Sequence, residues 1–191
     1  MLNSMTVWRG ALMAALLTAP GLHAAEVAGV RLEDSLRVGN RELVLNGAGL
    51  RSKLFIKLYV GALYVPQKST QVAVLLDNAA PRRMALRLLR DVDAQSLHAA
   101  LDDGLKANLS PSELAGLQAA CDQLAAIMQQ IGKVREGQTV AIDLMADGVA
   151  VSLNGQLRGQ IAAPALAPAL LKVWLGDRPA DPALKQSLLG G

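Results

Sequence analysis

The chain has 191 residues, the length of one ordinary domain, and this is enough to form a sizeable hydrophobic core. Apolar residues make up 52% and charged residues 18%, a composition that excludes disordered, collagen-like and histone-like proteins. The net charge is only +3 and 3% of the residues are aromatic, so we expect no nucleic-acid partner. The single cysteine, Cys121, excludes an intramolecular disulfide.

Residues 1–25 are predicted to be a cleaved signal peptide. One positive charge, Arg9, precedes an apolar stretch from Ala11 to Ala19, and Pro20 is followed by small residues. This stretch is about half of the roughly 20 residues that span a membrane, so we expect no stable membrane insertion after cleavage. Residues 26–191 would then form one domain, located in the periplasm if the source is a Gram-negative bacterium. No nucleotide-binding glycine motif occurs, and we predict no cofactor.

Short apolar alternations between Val27 and Leu45, interrupted by Gly39-Asn40, predict two or three strands joined by tight turns. The apolar run from Leu54 to Val65 predicts a central strand. Ser69 or Thr70 is predicted to cap a short helix through Leu76, and a further strand is expected from Met84 to Leu89.

Two helices are predicted next. Asp93 is the expected cap of the first, in which Leu97, Leu101 and Leu105 share one face. The second extends from Pro111 to Ile131, because Ser110 is a capping residue before a proline and Gly132 suits a left-handed end. Its apolar stripe faces a core and consists of Leu114, Leu117, Cys121, Leu124, Met128 and Ile131.

The remainder predicts a three-stranded antiparallel meander and two terminal helices. The strands are expected at Thr139–Leu144, Val149–Leu153 and Gln156–Ile161, and the helices at Ala167–Leu175 and Pro182–Leu189. The whole pattern indicates an α+β fold in which a mostly antiparallel sheet packs against helices.

The residues that could carry catalysis are few, and we predict neither catalytic residues nor a metal site. His98 is the only histidine after the signal segment, so a Ser-His-Asp triad and a polyhistidine metal site lack parts. Its pairing with Asp102 at helical spacing is interpreted as a solvated surface pair rather than a dyad. The Cys121 thiol is interpreted as a small core group.

A basic cluster and an aromatic segment remain. The cluster of Arg82, Arg83, Arg87 and Arg90 favours a solvated strand edge over an anion site. In the segment Asn46–Val65, strand alternation would place Phe55, Lys57, Tyr59 and Gly61 on one face.

Arg51 and Tyr59 could bind a carboxylate together, because arginine supplies a charged fork and tyrosine one O–H donor. This requires a chain reversal near Arg51 to Lys53, since eight residues of continuous strand span roughly 26 Å. The residues alone favour the alternative in which Arg51 is a surface turn residue and Tyr59 packs on the sheet.

The segment GAGLR…LFIKLYVGALYV resembles a strand pair of the chalcone isomerase family, in which GAGxR precedes a strand of FIKFTAIGVYL type. The C-terminal ALLKVWLGDRPADPALKQSLL resembles the final helices of that family, and the chain is most similar to its exported bacterial branch. The resemblance implies an open-faced β-sandwich of chalcone-isomerase type, with a large antiparallel sheet packed against helices and a ligand cleft between them.

The resemblance also implies site residues. The family arginine corresponds to Arg51, and the catalytic threonine of the enzymes corresponds to Tyr59, as in the fatty-acid-binding branch, where an arginine and a tyrosine hold a carboxylate. Three further polar positions of the isomerase site correspond to Ser96, Asp103 and Val173, so most of the polar set of the enzymes is missing.

Three functional hypotheses follow. The first is a non-catalytic periplasmic binder of a small or fatty carboxylic acid, or another hydrophobic ligand, with Arg51 and Tyr59 as the ligand-binding residues. The second is an intramolecular lyase or isomerase of chalcone-isomerase type, in which Arg51 stabilises an enolate. The third is an envelope interaction protein whose cleft is filled by its own side chains.

Overall fold

The computed structural model describes residues 25–77 and 79–191, so the predicted signal peptide lies outside the described residues apart from Ala25. The strands are β1 Glu26–Val27, β2 Val30–Arg31, β3 Ser35–Val38, β4 Arg41–Lys53, β5 Ile56–Val65, β6 Arg82–Leu88, β7 Val92–Asp93, β8 Lys133–Val134, β9 Thr139–Met145, β10 Gly148–Leu153 and β11 Gln156–Ile161. The helices are α1 Val72–Leu76, α2 Ala94–Asn108, α3 Pro111–Ile131, α4 Leu166–Leu175 and α5 Pro182–Leu188.

Seven strands form one antiparallel sheet in the order β11-β10-β9-β6-β5-β4-β3. All six neighbouring pairs are antiparallel, and two-stranded ribbons are formed by β1 with β2 and by β7 with β8. Short turns join most sequential neighbours, as the two-residue alternation and the turn residues predict. The α+β class with a large antiparallel sheet is therefore confirmed, and so is the meander of β9, β10 and β11.

The two faces of the sheet carry different cores. On β5, Tyr59 and Leu63 point into the larger core, which the helices cover, while Val60 and Tyr64 point into a smaller one on the opposite face. Side chains of the β1–β2 ribbon pack against the smaller core. The two-residue period of a strand explains this division, because successive side chains leave opposite faces of the sheet.

The longest helix, α3, begins and ends where the sequence predicts. The Ser110 hydroxyl accepts a hydrogen bond from the backbone N–H of Glu113, whose carboxylate in turn accepts one from the Ser110 N–H. Gly132, with φ of 68°, ends the helix. Asp93 caps α2 as predicted, through a bond from Gln95 N–H of 2.8 Å. None of the described helices is both long and apolar enough to cross a bilayer.

Helix α5 lies directly on β4 because β4 has glycines beneath it. A Cβ at Gly47 would overlap the carbonyl oxygen of Ser187, and one at Gly49 would lie 2.6 Å from the Ser187 Cβ. The Asn46 amide donates to the Leu188 carbonyl at 2.7 Å and holds the end of the helix. This close approach brings the beginning of α5 to the strand that carries Arg51.

The prediction that the basic cluster forms a solvated strand edge is wrong. Strand β6 lies in the middle of the sheet, between β5 and β9. Arg82 is buried and donates to the Leu75 carbonyl at 2.6 Å, and Arg83 forms two hydrogen bonds with the Asp143 carboxylate. The local sequence did not show that β6 is the central strand of the sheet. Its neighbour β9 is more than fifty residues further along the chain, so the pairing leaves no local pattern.

The predicted strand Leu54–Val65 begins two residues too early. Leu54 and Phe55 have positive φ values of 49° and 67° and form the turn between β4 and β5, so Phe55 shares no strand face with Tyr59. An irregularity in the pairing between Arg51 and Ser52 leaves Leu58 unpaired and breaks the strict alternation, and Lys57 is exposed. The sequence lacks the Asn-Gly or Gly-Gly signal that marks such turns, so the apolar run obscured it.

The predicted surface pair of His98 and Asp102 is also wrong. The Asp102 carboxylate accepts instead from Lys106 Nζ at 2.6 Å, one turn further along α2. Asp102 and Lys106 are on the solvent side of the helix, where a lysine four residues after an aspartate can readily form an ion pair with it.

Candidate functional site

A pocket of about 440 Å³ lies between β4–β6 and helices α2 and α4. Its volume is within the range of roughly 300–1,000 Å³ that small-molecule sites occupy. The apolar side chains in its wall include Leu58, Leu86, Val92, Leu97, Leu101, Val173 and Trp174. Arg51 and Tyr59 line the same pocket, which is thus an apolar space with a few polar groups.

Arg51 and Tyr59 are direct cross-strand partners on β4 and β5. The chain reversal that a shared ligand requires does occur, at Leu54-Phe55, immediately after the region in which the sequence analysis located it. Opposite residues of an antiparallel pair have Cβ atoms about 5 Å apart, so the two polar ends can reach one small group.

The Arg51 guanidinium is only partly occupied by the protein. Its Nη1 donates to the Ser52 carbonyl at 2.8 Å and to Asp181 Oδ2 at 3.2 Å, and both side chains of this ion pair are largely buried. Asp181 uses its other oxygen, Oδ1, to cap α5 by accepting from the N–H groups of Ala183 and Leu184. Because arginine has five N–H donors, contacts made by a single nitrogen leave donors for Tyr59 and for a ligand.

The Tyr59 hydroxyl is held as a hydrogen-bond donor. Trp174 Nε1–H, which can only donate, bonds to the Tyr59 oxygen at 3.1 Å, and both residues are buried. Burial raises the pKa of Tyr59 above 10.0, against smaller opposing effects of the Trp174 bond and the Arg51 charge. The hydroxyl is therefore neutral at physiological pH and keeps its hydrogen for another acceptor.

The pocket has a small excess of positive charge. Arg51, Lys53 and Arg178 line it, against the acidic Asp103 and the Arg51 partner Asp181. One uncompensated cation beside two hydrogen-bond donors favours an anion with an apolar body. Among residues 25–77 and 79–191, no group of three or more His, Cys, Asp or Glu side chains is arranged to hold a metal ion.

The helix positions to which the resemblance pointed also reach this pocket. Ser96 and Asp103 line it from α2, and Val173 lines it from α4. The two helices cross closely at Gly104, where a Cβ would lie 2.6 Å from Val173 Cγ1. In this chain the three positions offer one hydroxyl, one carboxylate and one apolar side chain.

Sequence reasoning missed two residues that hold the polar pair. Trp174 and Asp181 contact Tyr59 and Arg51 over 115 and 130 residues of chain. Asp181 before Pro182 is a recognisable helix-start signal, but its ion pair with Arg51 has no local pattern. The rarity of aromatic residues was the only signal that could have singled out Trp174.

Comparisons with known proteins identify the family. A fatty-acid binding protein of Arabidopsis thaliana has a similar structure, with a TM-score of 0.65 and 15% sequence identity, over 84% of this chain and 92% of the other. A search of curated protein sequences found no match. The family model described as chalcone isomerase-like matches residues 24–190. The chain therefore belongs to the chalcone isomerase-like family and has its open-faced fold of a large antiparallel sheet backed by helices.

Proposed function

We propose that this protein is exported to the periplasm, where it binds a small or fatty carboxylic acid without transforming it. The carboxylate would accept hydrogen bonds from Arg51 and from the Tyr59 hydroxyl. The hydrocarbon part would lie against the apolar wall formed by α2, α4 and the sheet. The similar plant protein is a fatty-acid binding protein, which agrees with a ligand of this kind.

The observation that carries this proposal is the state of the two donors. Arg51 uses Nη1 for its bonds to the Ser52 carbonyl and to Asp181, and the Tyr59 oxygen accepts a hydrogen bond from Trp174. Buried polar groups beside a pocket need hydrogen-bond partners. A guanidinium N–H group next to a hydroxyl group is complementary to a carboxylate, which accepts a hydrogen bond from each. Charge-assisted bonds of this kind also orient the ligand, while the apolar wall supplies affinity for its chain.

The alternatives that the sequence left open differ in specific features. The interaction-protein hypothesis requires a filled cleft, whereas the pocket retains about 440 Å³. The isomerase hypothesis shares Arg51 with the binder, but a ring closure also needs groups that orient two reacting parts of a substrate. Tyr59 is protonated at neutral pH, because burial raises its pKa further above 10.0, so it offers an O–H donor rather than a phenolate base.

The test begins with native mass spectrometry of the protein purified from the periplasm, followed by denaturation and identification of released small molecules. We expect a carboxylic acid in the wild type and its loss in Arg51→Gln. Arg158→Gln is the matched control, because Arg158 is exposed on β11 and does not line the pocket. N-terminal sequencing of the same preparation reports whether and where the signal is cleaved.

Two results would contradict the proposal. A co-purifying acid that is retained by Arg51→Gln with unchanged affinity would show that the guanidinium does not bind it. Turnover of chalcones by the wild type, above the uncatalysed rate and lost in Arg51→Gln, would favour the isomerase.

A further inference from the structure

The tip of the β4–β5 hairpin is the most exposed apolar feature of the described chain. Leu54 is 82% exposed, Phe55 fully exposed and Ile56 46% exposed. Water-exposed apolar residues scattered singly are ordinary, but three in succession at the end of a protruding hairpin are not. Such a tip has the composition of a contact surface.

The turn contains apolar residues at positions where the backbone conformation favours asparagine and glycine. Leu54 and Phe55 have φ values of 49° and 67°, a combination for which Asn-Gly is the usual choice. Leucine and phenylalanine carry a Cβ that disfavours this conformation and gain no burial here in return. Backbone strain that no packing contact within the protein offsets is typical of residues that contact another molecule.

Basic side chains lie next to the tip. Lys53 and Lys57 flank it directly, and both are exposed. The hydrogen bond of 2.9 Å from Leu89 N–H to the Leu58 carbonyl keeps the exposed Arg90 at the same end of the sheet. The acidic residue next to Arg90, Asp91, is paired with Lys133 at 2.9 Å. The tip therefore combines three exposed apolar side chains with neighbouring positive charges.

We propose that this tip docks the protein on the surface of an anionic lipid bilayer. Leu54, Phe55 and Ile56 would enter the boundary between headgroups and acyl chains, and the lysines would contact anionic headgroups. Charge complementarity favours this partner, because apolar residues flanked by lysines match a surface in which anionic headgroups lie above hydrocarbon. The docking is peripheral and reversible, since it involves one turn and no spanning segment.

The tip lies at the rim of the pocket, which gives the docking a use. Lys53 before it and Leu58 after it both line the pocket. A bilayer bound at the tip would lie next to this part of the pocket lining, so an amphiphilic acid would have a short path between the two. This use rests on the proposed function, whereas the docking itself rests on the tip alone.

The experiment compares sedimentation of the full chain with mixed phosphatidylcholine–phosphatidylglycerol vesicles and with pure phosphatidylcholine vesicles. The decisive variant is Leu54→Asn/Phe55→Gly, which supplies the residues that the turn prefers and so keeps the hairpin folded. We expect its binding to anionic vesicles to be at least about tenfold weaker than that of the wild type. All variants share the N-terminus, so differences between them report on the tip.

Leu157→Asn is the matched control, because Leu157 is a large hydrophobic residue 59% exposed on β11. It should bind vesicles as the wild type does. Lys57→Gln should weaken binding to the anionic vesicles about threefold and leave the smaller binding to neutral vesicles unchanged. Added salt should reduce binding of the wild type to anionic vesicles.

Equal vesicle binding by the wild type and the tip variant, or no binding of the wild type to anionic vesicles, would overturn the docking. So would a tip-dependent dimer that binds no vesicles, since the tip would then contact a second copy. Carboxylic-acid affinity in solution separates the two proposals. Arg51→Gln should lose the acid and keep vesicle binding, and the tip variant should show the reverse.

Discussion

The central strands carry two arginine–tyrosine pairs that look alike in sequence and differ in chemistry. Arg51 lies opposite Tyr59 on the helix-covered face, and Arg83 lies opposite Tyr64 on the other. Both pairs line cavities, of about 440 and 290 Å³. Residue types and strand pairing alone therefore do not distinguish a ligand site from a structural one.

The two pairs differ in the partners that the protein supplies, because each arginine uses two of its five N–H donors in the bonds to its neighbours. Arg83 directs Nε and Nη2 at the Asp143 carboxylate, at 2.6 and 2.8 Å, and the Tyr64 hydroxyl donates to the Glu33 carbonyl at 3.0 Å. Arg51 contacts Asp181 through one nitrogen only, and the Tyr59 oxygen accepts from Trp174. Asp143 therefore binds Arg83 through two nitrogens and Tyr64 has donated its hydrogen, whereas the Tyr59 hydroxyl keeps its hydrogen beside an arginine that bonds to a carboxylate through one nitrogen.

Removing the charge of each arginine should produce the largest difference between the two pairs. Arg51→Gln is expected to weaken carboxylic-acid binding about 100-fold, because a charge-assisted bond of about 2–3 kcal/mol is lost. Arg83→Gln should leave the affinity unchanged and lower the free energy of unfolding by about 2 kcal/mol, since Asp143 loses its partner. Isothermal titration and urea unfolding measure the two effects. Loss of acid binding in Arg83→Gln, with the fold intact, would break the comparison.

Removing each tyrosine hydroxyl should give the same contrast at a smaller scale. Tyr59→Phe is expected to weaken acid binding about fivefold and to lower stability by about 1–2 kcal/mol, because the Trp174 N–H is left buried without an acceptor. Tyr64→Phe removes a bond to the Glu33 carbonyl and should cost about 1 kcal/mol of stability without altering affinity. Titration of both variants with one fatty acid checks this, and equal affinities would contradict it.

Neutralising Asp181 should sharpen the comparison by freeing Arg51 further. Asp181→Asn keeps an oxygen to cap α5, which asparagine does well, but removes the charge that competes with a ligand carboxylate. We expect roughly threefold tighter acid binding and little change in melting temperature. Weaker binding, with the melting temperature unchanged, would instead show that Asp181 mainly orients the guanidinium.

The two tyrosines also predict a pH dependence. The pKa of Tyr59 is raised above 10.0, mainly by burial, so acid binding should be constant from neutral pH to about pH 10. Burial raises the pKa of Tyr64 to about 12, whereas the unfolded chain ionises near 10.0. The unfolded state alone loses a proton between these values, so stability should fall as pH rises from about 10 to 12. Urea unfolding of Tyr64→Phe should show a shallower fall, and an identical slope would contradict the assignment.

Local patterns predicted the elements well where capping and turn residues were present. The limits of α3 followed from Ser110 and Gly132, and the meander of β9, β10 and β11 followed from its alternation and turn residues. The turn between β4 and β5 was predicted in the wrong place, because Leu54 and Phe55 are not residue types that usually form turns. The pairing of Arg51 with Tyr59 required exactly that turn, so the candidate site depended on the element that the pattern identified least well.

The sequence by itself determined the helices, the meander, the α+β class and the family, because each is encoded in short-range periodicity, capping residues or a continuous motif. The pair of Arg51 and Tyr59 came from the resemblance to the family, since the residues alone favoured a surface turn residue and a packing tyrosine. Only the tertiary structure decided that β6 is central, that Arg83 is closed by Asp143, and that Trp174 and Asp181 hold the other pair. These contacts join residues from more than 50 to 130 positions apart, and packing rather than local pattern determines which of them form.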